Sequence, residues 1–272
     1  MTVPSALVGH GRRSRRQPTR LWRVPVLRVR TLAPRLVRVI AGGEGLDGFL
    51  GSGTDQHVKL YCYPPDVELP EPLTAETARS AMHRVRPAMR SYTIRRHDPA
   101  AREIDIDFVL HTEPGPASDW ARHARRGDEL IFVGPSPCYE PAVGAHTYLL
   151  AGDVSALPAI EAIVRELPPG TLGRVFVEVS DIAERRELVS PAALDVCWLT
   201  EGGGPDLLGA LRAADLPREG VDAWVAGERS TVQAVRSYLL TELAIDRRRV
   251  RPTTYWRRGQ IESEELVTAG RR

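Results

Sequence analysis

The chain has 272 residues, 42% hydrophobic and 26% charged, with a formal net charge of +2, a balance ordinary for a globular protein large enough for two domains. No run of about 18 apolar residues implies a membrane span, and the N-terminal arginines precede no apolar stretch of a secretory signal. Cys62, Cys138 and Cys197 are spaced for neither a disulfide framework nor a metal site; each reads as a small core residue, and a reducing cytoplasm fits.

Residues 1–43 hold ten arginines and no acid, whereas the remainder holds 27 basic against 35 acidic residues. The body is therefore acidic, and residues 1–20 read as a disordered basic extension. A nucleic-acid partner would rest on that segment alone and is not expected.

From Leu21 to Ser136 short runs alternate apolar with polar residues: LWRVPVLRVRTL, RLVRVIAG, HVKLYCY, RSYTIRR, REIDIDFVLH and ELIFVGPS. Six such runs with turn residues between them predict an antiparallel barrel or sandwich over residues 21–140. Residues 64–89, too long and proline-rich for a hairpin loop, read as an insertion with one short helix. In RSYTI, residues 90–94, Arg90 and Tyr92 share a face with Ile94, so a cation and a phenol stand where a core is expected. Ser91 and Thr93 take the other face. In EIDIDFVLH, residues 103–111, Ile104, Ile106 and Phe108 face one way, with Asp105, Asp107, Val109 and His111 opposite. Gly115-Pro116 followed by Ser118 predicts a helix start.

After a proline- and glycine-rich junction near Cys138–Ala145, the rhythm changes. TYLLAGD, SALPAIEAIVREL, GRVFVEVS, DVCWLT, DLLGALRAADL, VDAWVAGE, STVQAVRSYLLTEL and RVRPTTYW alternate strand with helix, apart from a glycine-rich turn. This predicts a doubly wound parallel sheet over residues 146–265, with ligands at its strand ends. AGDVSALPAI (151–160) and WVAGERSTV (224–232) are two strand-to-helix turns at one sheet edge, where amides are able to hold a phosphate; neither is GxGxxG, and a plain turn is the alternative. Asp181, with Arg185 and Arg186 after it, reads either as a ribose and 2′-phosphate site or as a solvated cap. No Ser/His/Asp, Cys/His or paired-carboxylate arrangement stands out, nor HExxH or CxxC, so no catalytic side chain and no metal site are assigned. The reactivity is expected from a cofactor.

RSYTIR (90–95), DFVLH (107–111), GPASDWA (115–121), AGDVSALPAI (151–160), WVAGERSTV (224–232) and YWRRG (255–259) occur in this order. The ordered set, spanning about residues 21–265, resembles the siderophore-interacting protein family, flavin-dependent ferric-siderophore reductases of the ferredoxin-reductase-like superfamily. The resemblance implies a flavin-binding antiparallel β-barrel followed by an NAD(P)-binding-type sheet. It implies that Arg90 meets the FAD pyrophosphate, that Tyr92 lies against the isoalloxazine and that Thr93 reaches its reactive edge, with Ser91 and Ile94 in the same motif. Asp107, Val109 and His111 would line the ring and ribityl chain, and Gly115, Pro116, Ala117 and Ser118 the phosphates. Gly152, Asp153, Ala156, Leu157 and Pro158, with Gly227 and Glu228, would face NADPH or NADH, and Tyr255 and Trp256 would close the cleft. Lys59, Arg257 and Arg258 are the candidate cations for a ferric siderophore. The chain departs from the family pattern at Val154 and Thr254, where an acid and a glycine are usual. The implied activity moves electrons from NAD(P)H through FAD to an Fe(III)-siderophore in a cytoplasmic monomer; the alternative is an FAD- or siderophore-binding protein reduced by ferredoxin.

Overall fold

A computed structural model describes residues 20–259 except 52, 65–66, 111–114 and 137–138. His111, Cys138 and almost all of the basic extension thus lie outside the described residues, as does the segment after residue 259.

The six alternating runs are six strands: β1 (Arg20–Ala33), β2 (Leu36–Gly42), β3 (His57–Cys62), β4 (Ala88–Asp98), β5 (Glu103–Val109) and β6 (Glu129–Gly134). They form a closed barrel, not a sandwich, in the order β1-β2-β5-β4-β3-β6, because the long β1 pairs with β2 at one end and β6 at the other. Alternation fills the interior: Trp22, Val24, Val39, Leu60, Ile104, Ile106, Phe108 and Phe132 are all buried in one cluster. Each such side chain contributes about 1.5–3 kcal/mol relative to exposure. The insertion holds one short helix, α1 (Ala75–Ala81), started by Thr74, whose Oγ1 accepts from the Thr77 amide at 3.1 Å. Helix α2 (Pro116–His123) begins at Gly115 with proline in its first turn, as the dipeptide predicts, and leans on β2, β3, β4 and β5.

The second half is β7 (Thr147–Asp153), α3 (Leu157–Arg165), β8 (Leu172–Val179), β9 (Ala193–Thr200), α4 (Leu207–Ala213), β10 (Val221–Glu228), α5 (Arg229–Thr241) and β11 (Val250–Trp256). The strands are all parallel, ordered β11-β10-β7-β8-β9. Tyr148 and Leu150 pack with α3, while Leu149 and Ala151 pack with α4 and α5. Both faces are therefore covered, which is why β7 and β10 read as nearly unbroken apolar runs. The strand order reverses between β7 and β10, the crevice where such sheets bind ligands.

Strand β4 joins the halves. A register shift between Ile94 and Arg96 makes Arg95 an extra residue opposite β5, and such a bulge re-aims its side chain. Arg95 reaches Glu161 of α3 through Nε and lies 3.7 Å from Asp105. Asp107 accepts from Arg38 Nε at 2.6 Å and Nη2 at 2.8 Å, and from Arg186 Nη2 at 3.1 Å. Arg186 also pairs through Nε with Glu161. Three arginines and three carboxylates thus interlock barrel and sheet. Among the described residues, no helix is long and apolar enough to cross a membrane.

Candidate functional site

On β4, Arg90 stands opposite Leu60, and Tyr92 opposite Val58. Both are half-buried, so cation and phenol sit at the edge of the barrel core. The Tyr92 ring lies 4.4 Å from that of Phe108, which lies 5.6 Å from Trp120 of α2. This aromatic series leads to the start of α2. There Gly115, lacking a side chain, leaves first-turn amides uncapped from its own position, while Ser118 Oγ donates to the Gly115 carbonyl at 3.0 Å. Pro116 is exposed, and Ala117 and Ser118 are buried. A cavity of about 170 Å³ beside the helix is walled in part by Tyr61, Cys62, Tyr63 and Trp120; burial pushes the Cys62 thiol up to about 11. One guanidinium, the amides of a helix start and a set of aromatic rings suit a ligand with a diphosphate and a flat ring system. The chemistry of these residues therefore fits a flavin dinucleotide.

Other expected contacts are placed differently. Val109 is half-buried at the end of β5, but the Asp107 side chain is fully buried and engaged by two arginines. Ser91 is exposed, and Ile94 is in the barrel core. Thr93 is buried although alternation puts it on the outer face, because Tyr255 of β11 covers it and their hydroxyls hydrogen-bond.

The sheet brings its two glycine turns together. Gly152 pairs with Ala226, and a Cβ on Gly152 would lie 2.4 Å from the Ala226 carbonyl oxygen and 2.5 Å from the Ala156 side chain. Gly227, at φ 138°, would meet the Asp153 carboxylate. These glycines let β7, β10 and the start of α3 close up, with Ala156, Leu157 and Pro158 buried beneath. Asp153 ties the strand ends: it accepts from the Glu228 amide at 3.0 Å, Trp256 Nε1 at 2.8 Å and the Ser155 amide at 2.8 Å. Glu228 caps α5, accepting from the amides of Ser230 at 2.6 Å and Thr231 at 3.1 Å, and from the Arg258 amide at 3.3 Å. Burial alone would raise its pKa, but a hydrogen bond from the Ser230 hydroxyl, with these amide bonds, holds it below its ordinary value. Its stabilisation is therefore present at neutral pH and fades as pH falls through the folded pKa. Glu228→Ala is expected to lower unfolding stability by about 1 kcal/mol at pH 7, with a smaller difference near pH 4, read by urea unfolding at both.

After β8, Asp181 caps a short 3₁₀ turn by accepting from the Ala183 amide at 2.8 Å, Arg185 donates to Thr200 Oγ1 at 3.2 Å and Arg186 belongs to the interdomain ion cluster. The cap is thus the role that Asp181 takes here. The edge is acidic: burial, then Asp153, Glu201 and Asp206, raise the pKa of Glu178.

Asp55 was not among the candidates. Asp55, in the loop before β3 and 7% exposed, accepts from Trp224 Nε1 at 3.0 Å and from the Tyr255 hydroxyl at 2.8 Å. Burial pushes its pKa up to about 6 against those two hydrogen bonds. A single acid in a polar loop has no periodicity to mark it, and its partner Tyr255 is 200 positions away. Lys59, Arg257 and Arg258 are exposed. Lys59 lies on the same outer face of β3 as His57, which pairs with Thr93, about 7 Å along the strand.

Comparison with known proteins identifies the family. The family model described as the siderophore-interacting FAD-binding domain matches residues 25–138, and that described as siderophore-interacting protein matches residues 145–259. The ferric vibriobactin reductase ViuB of Vibrio cholerae is 34% identical over 248 residues, covering 87% of this chain and 89% of its own. The NADPH-dependent ferric-chelate reductase of Escherichia coli is 29% identical over 89% of this chain and 94% of its own. The crystal structure of a siderophore utilization protein from T. fusca superposes with a TM-score of 0.78 at 33% identity, covering 92% of this chain and 97% of that one.

Proposed function

This chain belongs to the siderophore-interacting protein family, and from that premise we propose that it is an FAD-dependent reductase of ferric siderophores that draws its electrons from NADPH or NADH. The observation carrying the flavin half is the junction of Arg90, Tyr92, Phe108 and Trp120 with the start of α2. Arg90 and the Ala117 and Ser118 amides of the first turn of α2 would hold the diphosphate, Tyr92 would lie against the ring, and Thr93 would present its hydroxyl to the ring edge. When bound, FAD would supply the conversion of a two-electron donation into single-electron deliveries. Reducing Fe(III) to Fe(II) weakens its hold on hard oxygen ligands, so the iron leaves the siderophore.

This chain's own residues bind and orient. The ion cluster of Arg38, Arg95, Arg186, Asp105, Asp107 and Glu161 keeps the sheet against the barrel, so donor and acceptor meet one ring at fixed positions. Lys59, Arg257 and Arg258 would draw an anionic ferric siderophore to an otherwise acidic body. The nicotinamide would enter at the switch point between β7 and β10, beside Gly152 and Gly227. The Trp256 indole, bonded to Asp153 at the end of β7, would have to move aside.

The same edge favours a second reading, in which ferredoxin is the donor. Asp153 and Glu228 are spent on internal hydrogen bonds, and Glu178 feels a surplus of carboxylates, a poor setting for a polyanionic dinucleotide. One experiment separates the readings. The purified protein, saturated with FAD, is mixed anaerobically with NADPH, NADH or reduced ferredoxin, and its flavin absorbance is followed before a ferric siderophore is added. The first reading expects bleaching by a nicotinamide donor and recovery of colour with the siderophore. Bleaching by ferredoxin alone would transfer the role to the second, and failure to bind FAD would sink both.

A further inference from the structure

Resting on the flavin reading of β4, we propose that Asp55 is a positioning residue that decides, through Tyr255, whether the Thr93 hydroxyl offers the bound flavin a lone pair or a proton. The chain of contacts crosses the seam between barrel and sheet, from the Asp55 carboxylate to the Tyr255 hydroxyl at 2.8 Å and on to the Thr93 hydroxyl. Trp224 Nε1, at 3.0 Å, holds the other carboxylate oxygen.

Each hydroxyl has one proton to give. With Asp55 ionised, Tyr255 spends its proton on Asp55 Oδ1, so its oxygen accepts the proton of Thr93. Thr93 then has only lone pairs to offer elsewhere. With Asp55 protonated at Oδ1, that O–H donates to Tyr255, Tyr255 donates to Thr93, and the Thr93 proton turns outward. No heavy atom moves. An outward acceptor suits a ring nitrogen that bears a proton, and an outward donor suits a bare one. One proton at Asp55 is thereby linked to the redox state of the bound cofactor.

The surroundings of the carboxylate support such a role. Its two partners are neutral donors, Trp224 on β10 and Tyr255 on β11. On β3 the His57 ring bonds the Asp55 backbone and feels the charge of Lys59. On β4 the facing group is Thr93, and at the end of β7 Asp153 acts on Tyr255. Burial raises the Asp55 pKa to about 6, within a range open to experiment, and lowers that of His57 below its usual value.

The test uses the full chain saturated with FAD. Indole N–H resonances of ¹⁵N-tryptophan-labelled protein are followed from pH 5 to 8, with that of Trp224 assigned by Trp224→Phe, and the flavin midpoint potential is measured over the same range. The Trp224 indole is expected to titrate near pH 6, also in His57→Gln, and to be silent in Asp55→Asn. The slope of potential against pH is expected to bend near the same pH in the parent protein and to lose that bend in Asp55→Asn. Tyr255→Phe, which cuts the chain but spares the Asp55–Trp224 bond, should keep the indole titration and lose the bend. A bend that survives in Tyr255→Phe, or a Trp224 indole that does not titrate, would overturn the proposal. Failure to retain FAD would overturn the flavin reading instead, since the indole titration needs no flavin.

Discussion

Asp107→Ala is expected to lower the unfolding free energy by about 3–5 kcal/mol, the range found when one partner of a buried ion pair is removed. The Asp107 side chain is inaccessible to solvent, and the guanidiniums it binds are only 13% and 19% exposed. Without it, Arg38 and Arg186 sit in the interdomain seam with one carboxylate fewer. Desolvation already lowers the pKa of Arg186, and its charged form is upheld chiefly by Glu161 and then Asp107. Water entering the seam relieves part of this, which keeps the expected loss far below the full cost of burying a charge. For a chain of this size the shift in Tm is roughly 10 °C. Because the cluster bridges the two halves, unfolding of the variant should also broaden into two steps, the sheet parting from the barrel first. Removing both charges, as in Arg38→Met with Asp107→Leu, should recover much of the loss. An unfolding free energy for Asp107→Ala, read from urea unfolding, within about 1 kcal/mol of the parent would refute this account of the seam.

The same cluster shows where reading the residues alone stops. Alternation located all six barrel strands, and the change of rhythm located every strand and helix of the parallel sheet, because a barrel buries one face of a strand and a doubly wound sheet buries both. Asp107 was also visible as an outward-facing residue of β5. Its partner from the other half was not visible, since outward positions on a barrel face either solvent or another domain, and only the docked sheet supplies Arg186, 79 positions away. Thr93 shows the same limit: β11 covers it, and nothing in RSYTI marks it for burial. The bulge at Arg95 is likewise silent, because RRH has no glycine to announce the extra residue. Arg185 and Arg186 follow a strand end like any charged pair, and whether they face a nucleotide or a neighbouring domain is decided by tertiary docking. Gly152 and Gly227 were legible as turns, but the reason only glycine serves is the close approach of two strand ends and a helix.

Arg90→Ala is expected to weaken FAD binding about 10- to 100-fold, as a charge-assisted hydrogen bond contributes about 1.5–3 kcal/mol. Arg90 is half-buried on the face of β4 that also carries Tyr92, and its Nη1 donates to the neighbouring Met89 carbonyl at 2.8 Å, which braces the guanidinium. Arg90→Lys keeps a charge but loses the planar fork, so its loss should be smaller. The sharper measurement compares ligands. Riboflavin has the ring without phosphates, so a residue that holds the diphosphate matters to FAD and not to riboflavin. Arg90→Ala should therefore leave riboflavin affinity within about twofold of the parent, while Tyr92→Ala, which removes a ring next to Phe108, should weaken both ligands alike. Added salt should narrow the gap between parent and Arg90→Ala for FAD alone, because only the phosphate contact is screened. Equal losses of FAD and riboflavin in Arg90→Ala would mean that this arginine supports the ring pocket instead of the diphosphate. The cation in RSYTI would then be part of the barrel edge, and the phosphate would depend on the start of α2 alone.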